Sequence, residues 1–136
     1  MFNGVKLALI TTDSRILTYL RDDKPSLYMA NRWDLPGGGR EGNETPFQTI
    51  QREVLEEFGI CLAPEQIIYE ADYESERFPG QRAKFMVGKI TDEQINQIDF
   101  GSEGQKYKII PIQDYLNLEN AVAFLQDRLR AYLKQI

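Results

Sequence analysis

The sequence predicts an α/β fold, a mixed central sheet with helices packed against it. Three features point there: strand-like segments lie on both sides of one central helix, that helix carries an apolar stripe, and a second amphipathic helix closes the chain. A length of 136 residues suits a single domain over 1–136. An apolar fraction of 42%, with seven Phe, seven Tyr and one Trp, supplies a core and argues against disorder.

Residues 5–10 read as a strand, and Thr12-Asp13-Ser14-Arg15 is a turn before a second strand at 16–20. The polar stretch 22–26 with Pro25 is a loop, and Trp33-Asp34-Leu35-Pro36 leads into three consecutive glycines, 37–39. The central helix has an explicit start. Thr45 is a candidate N-cap, Pro46 suits the first helical position, and Gln48 completes a Thr-x-x-Gln capping box. Phe47, Ile50, Val54 and Phe58 form its stripe, and Gly59 is placed to end it. Beyond it, 67–73 and 83–90 read as strands around the loop 76–81, and 91–98 is a short helix or a polar connection. A strand at 106–110 stops at Pro111. The closing helix is expected over 118–136, with Val122, Leu125, Leu129 and Leu133 on one side.

Sixteen basic and twenty-one acidic residues leave a net charge of −5. The widest basic grouping holds only Arg82, Lys84 and Lys89, so no long nucleic acid is expected as a partner. No apolar run is long enough to cross a bilayer and no leader pattern opens the chain, so no membrane partner and a cytoplasmic location are expected. The single cysteine, Cys61, sits between Ile60 and Leu62 and reads as a small core residue rather than a reactive thiol. There is no histidine. A metal site or general base must then rest on carboxylates, carbonyls and water, which suits Mg²⁺, with Mn²⁺ as the alternative, over zinc.

On a helical wheel Glu53, Glu56 and Glu57 share a sector of about 100° bordering the apolar stripe. Like charges at this spacing repel by a few tenths of a kcal/mol, a penalty that a divalent cation removes. Arg52 is placed to hold one of the carboxylates. A solvated charged face would explain three glutamates alone. It does not explain the longer pattern Gly38-x5-Glu44-x7-Arg52-Glu53-Val54-x-Glu56-Glu57-x-Gly59-Ile60.

That pattern, with the approach Trp33-Asp34-Leu35-Pro36-Gly37-Gly38, resembles the signature of the Nudix hydrolases at every defined position. The resemblance is tight over 33–60 and loose elsewhere. It implies an α/β/α sandwich with a central mixed sheet and a Mg²⁺-dependent hydrolase that cleaves the pyrophosphate link of a nucleoside diphosphate joined to another group. By the same resemblance, Glu56 and Glu57 are similar to the metal-binding carboxylates, and the carbonyl of Gly37 or Gly38 to their backbone partner. Glu53 resembles the residue that holds or deprotonates the attacking water, oriented by Arg52. Glu44 either braces the loop or binds a further metal. Glu103, in Gly101-Ser102-Glu103-Gly104, is either an acid of an active-site loop or the tip of a surface turn.

Substrate choice is less legible. Arg82 and Lys84 are candidate phosphate contacts or merely solvated, and Tyr28, Tyr73 and Phe78 are candidate stacking surfaces; Trp33 reads as core. The chain shows neither the additional N-terminal domain common among ADP-ribose hydrolases nor the tail motif of NADH-cleaving ones, and its size resembles the MutT-like group acting on nucleoside triphosphates. A small nucleotide is thus the expected partner. Dinucleoside polyphosphates, ADP-ribose, nucleotide sugars and a non-catalytic nucleotide-binding role stand as alternatives. Either a monomer or a homodimer is compatible with the closing helix's apolar side.

Overall fold

In the computed structural model, which describes residues 1–136, the first strand organises the rest. Strand β1 (Phe2–Ile10) pairs in parallel with β6 (Arg82–Lys89), which pairs antiparallel with β5 (Ile67–Glu74). On its other side β1 meets β2 (Arg15–Leu20) only at Ile10 and Ile16, after which the two strands diverge. The wedge between them takes the segment that leads to the central helix. Within it, β3 (Trp33–Asp34) pairs with β2, and β4 (Gly37–Gly39) pairs with β1. The final strand, β7 (Lys106–Pro111), pairs with β2 along its full length. Seven strands thus form one mixed sheet.

Side chains alternate between the faces of a strand, so each face gathers its own core. On one face Leu7, Leu9, Leu17, Tyr19 and Met86 pack against α1 (Pro46–Phe58) through Ile50, Val54 and Phe58. On the other, Ala8, Ile16, Phe85 and Val87 pack against α4 (Ala123–Leu133) through Leu125, Leu129 and Tyr132. The architecture is an α/β/α sandwich.

The central helix forms as its sequence predicts. Thr45 and Gln48 make the reciprocal capping box, and Gly59, at φ 69°, closes the helix with its N–H on the Leu55 carbonyl. Ile50, Val54 and Phe58 are fully buried. Each such side chain contributes roughly 1.5–3 kcal/mol. That outweighs the few tenths of a kcal/mol lost to repulsion among neighbouring glutamates.

Some sequence expectations are sharpened by the structure and others are overturned. The glycine run is a strand, because backbone pairing needs no side chain. The connection at 91–98 contains a helix, α2 (Asp92–Asn96), capped by Thr91 and Gln94. The closing helix begins at Ala123, because the backbone of 120–122 is taken by the sheet edge: Trp33 donates to the Asn120 carbonyl and Val122 donates to that of Trp33. A separate helix, α3 (Ile112–Leu116), precedes it, and the buried Gln126 amide donates to the carbonyls of Tyr115 and Leu118 just beyond. Cys61 is exposed, not buried. It lies between two core residues, Ile60 and Leu62, and burial alternates along this stretch. No helix is long and apolar enough to cross a membrane.

Candidate active site

A cavity of about 390 Å³ opens between the glycine strand β4, helix α1, the loop after β5 and helix α4. Its chemistry starts at Arg52. Nε and Nη2 grip the two oxygens of Glu44 at 2.8 and 3.0 Å, Nη1 donates to Glu53 at 2.9 Å, and Nη2 donates to the Gly39 carbonyl at 2.8 Å. The helix is thereby tied to the glycine strand. Glu44 also accepts from the Glu41 N–H and the Thr49 hydroxyl, so four protein donors engage its carboxylate. The Arg52 bonds, followed by the Glu41 N–H, hold its pKa down at about 2. Its geometry is that of a brace.

Glu57 and Glu53 turn inward. Glu57 is buried and accepts the Gly37 N–H at 3.0 Å. Burial pushes its pKa up to about 8, against the opposing pull of Lys6 and that N–H. Burial likewise raises Glu53, partly offset by its bond to Arg52. The Glu53 carboxylate lies directly against Gly38, where a β-carbon would stand 2.6–2.7 Å from its atoms. At Gly37, with φ 140°, a β-carbon would meet the Val5 carbonyl at 2.1 Å. Gly37 is thus fixed as glycine by backbone, whereas a β-carbon at Gly38 would have to displace the Glu53 carboxylate.

Glu56 behaves differently: it is largely exposed and reaches Arg52 at 3.5 Å. No three acidic side chains converge into a ready-made cation cage. The groups nonetheless fit a hard divalent ion. The donors are all oxygens, and two buried or half-buried carboxylates lack enough positive charge to hold their ordinary pKa values. Glu57 and Glu53 with a neighbouring glycine carbonyl could hold such an ion from inside the cavity, whereas Glu56 lies outside its lining.

Glu103 reaches the cavity wall and makes no hydrogen bond. Its loop is fastened to the end of α1, where Gly101 donates to the Glu57 carbonyl at 2.9 Å; Gly104 turns it at φ 95°. Lys84 also lines the cavity, paired with Asp72 and with Glu70. Arg82 lies outside this cavity and faces Asp72 at 3.8 Å.

Several residues here were given no site role by the sequence. Asp34, buried between the diverging strands, accepts from Lys6 Nζ at 2.9 Å and Arg21 Nη1 at 3.0 Å. One carboxylate thus holds two cations at the cavity wall. On the side formed by α4, Arg128 and Phe124 join Tyr28 and Phe78. Arg128 had one available clue: with Leu125, Leu129 and Tyr132 it completes an i, i+3, i+4, i+7 set of buried positions. Trp33 is core, with Lys108 above its ring.

Comparison with known proteins follows the same outline. The family model described as NUDIX domain matches residues 3–132. An RNA pyrophosphohydrolase of Helicobacter pylori is 29% identical over 97 residues, 62% of this chain and 61% of the relative's length. An 8-oxo-dGTP diphosphatase of Proteus vulgaris is 52% identical over 33 residues, 24% of this chain and 30% of that protein. Among solved structures, a MutT protein from Methanosarcina mazei Go1 superposes with a TM-score of 0.76 at 22% identity, covering 97% of this chain and 92% of the other. That likeness is one of fold.

Proposed function

The chain belongs to the Nudix family, and from that premise we propose that it is a Mg²⁺-dependent hydrolase of a small nucleotide, a nucleoside triphosphate first. The reading rests above all on the convergence of Glu53 and Glu57 on Gly37 and Gly38, with Arg52, itself gripped by Glu44, holding Glu53. A divalent ion held by Glu57 and a glycine carbonyl, with Glu56 nearby, would offset the charge on the diphosphate oxygens and acidify water.

The rest falls to the chain's own groups. Glu53 accepts the proton of the attacking water; with no histidine present, a carboxylate must take it. Arg52 sets the direction of Glu53 through its 2.9 Å bond. As water adds to phosphorus, the phosphorus–oxygen bond to the leaving phosphate breaks and the oxygen departs with the electron pair. The glycines let the diphosphate approach the backbone. Lys6 and Arg21, held in place by Asp34, present positive charge to its oxygens.

A panel of nucleoside triphosphates, dinucleoside polyphosphates, ADP-ribose, nucleotide sugars and a 5′-triphosphorylated RNA, assayed with Mg²⁺ and with Mn²⁺ for released phosphate or pyrophosphate, tests this. The RNA arm is included because of the H. pylori relative; the net charge of −5 argues against it. Thermal stabilisation by nucleotides without product from any of them would mark a binding module and sink the hydrolase reading.

A further inference from the structure

Arg128 stands out among the residues of the cavity wall. It is 6% exposed, deeper than any other cation lining the cavity, yet no carboxylate lies within ion-pair distance of it. Its guanidinium lies over the rings of Tyr73 and Phe124, at 4.5 and 4.7 Å. Its single hydrogen bond runs from Nη2 to the Glu74 carbonyl at 3.1 Å. Nε and Nη1 have no protein partner. Neither nitrogen is sealed from solvent, so both are open to acceptors that a ligand brings into the cavity. Stacking restricts how the guanidinium turns, and the second Nη2 hydrogen with that of Nε or Nη1 forms the adjacent pair that two acceptors would meet.

The surroundings narrow the chemistry. Tyr28, Met29, Phe78 and Val122 share this part of the wall, and Arg77 stacks on Tyr28 and Phe78 at 4.7 and 5.2 Å. Apolar and aromatic walls suit a flat, weakly hydrated ring better than a phosphate, which would lose its hydration there. A guanidinium fork matches two adjacent acceptors on one edge of such a ring. Guanine and hypoxanthine present O6 and N7 in that relation. Adenine places an amino donor beside N7. 8-Oxoguanine carries a proton on N7, so one acceptor becomes a donor facing an N–H.

We propose that Arg128 selects the base: the cavity takes 6-keto purines with an unprotonated N7, and discriminates against both adenine and 8-oxoguanine. The proposal rests on the reading of this cavity as a nucleotide site. It separates this chain from the 8-oxo-dGTP diphosphatase it matches over 33 residues.

The test measures kcat/KM for GTP, ITP, ATP and 8-oxo-GTP with Mg²⁺, and calorimetric Kd for GMP, IMP and AMP. GTP and ITP should agree within about threefold, with ATP and 8-oxo-GTP lower by roughly 5- to 150-fold, the range of one bidentate contact. In Arg128→Met, which keeps an unbranched stem against the rings, both gaps should close to within about threefold. Equal use of adenine or 8-oxoguanine by the parent protein overturns the proposal, as does a gap that survives in a folded Arg128→Met. Should that variant fail to fold, ITP decides. It lacks the 2-amino group but keeps O6 and N7, so an ITP as poor as ATP places recognition elsewhere and overturns the proposal. Affinity that follows phosphate number regardless of base makes Arg128 a phosphate contact and also overturns it. If nothing is hydrolysed, the hydrolase reading fails by itself, and the monophosphate affinities still decide the base preference.

Discussion

The two sides of the cavity are built in opposite ways. The carboxylate side comes from one run of chain, 37–57, in which the turn and the helical spacing determine what meets, and Arg52 alone binds Glu44, Glu53 and the Gly39 carbonyl. The aromatic side is gathered from distant segments: Arg128 finds its one acceptor 54 residues away, at Glu74. The first is tied together before any ligand arrives, whereas the second leaves donors unused. Groups that act on any diphosphate can be set rigidly by local chain, while groups that choose among bases need only reach the same space.

This contrast can be broken by experiment. The largest effect is expected at the carboxylate side: Glu53→Gln and Glu57→Gln should each lower kcat/KM by roughly 10²–10⁴-fold for every substrate alike. Steady-state rates on two nucleotides check this, and a loss confined to one nucleotide would erase the division between chemistry and selection. Next comes Gly38→Ala, whose β-carbon meets the end of the Glu53 side chain. Glu53 can swing aside, so folding should change by less than about 1 kcal/mol in a denaturant titration. The displaced carboxylate should nevertheless lower kcat by roughly 10²-fold.

A smaller effect sharpens the electrostatics. The Glu57 pKa is raised by burial from 4.5 to about 8, so protons and a divalent ion compete for it. Mg²⁺ affinity measured by calorimetry should climb between pH 6 and 8, by at most about tenfold per unit, and level off above. The stability effect has the opposite slope. Without metal, Glu57 stabilises the fold fully below 4.5 and loses that contribution as the pH rises through about 8. Glu57→Gln should therefore melt alongside the parent at pH 5 and above it at pH 9; the reverse order would remove burial as the cause. The smallest effect is expected away from both sides: exposed Cys61 should react with a thiol reagent in the native protein, and Cys61→Ser should shift stability by no more than about 0.5 kcal/mol.

The sequence by itself determined the central helix with both caps, the two amphipathic faces, the family and the place of Arg52 beside one of its glutamates. These depend on residues within a few turns of one another, where backbone geometry leaves little choice. Tertiary structure alone decided the rest. Asp34 became a clamp for Lys6 and Arg21 only because β1 and β2 diverge around it. Glu56, matched in the pattern to a metal-binding acid, came out exposed, and Glu44, left between a brace and a metal ligand, became a fully engaged brace. The closing helix lost its first turn to the sheet edge at Trp33. Arg128, one more cation on a helix, became a buried group with unused donors because α4 packs against a sheet that brings no acid to meet it. Burial and partnership depend on which distant segments arrive, and no spacing along the chain records that.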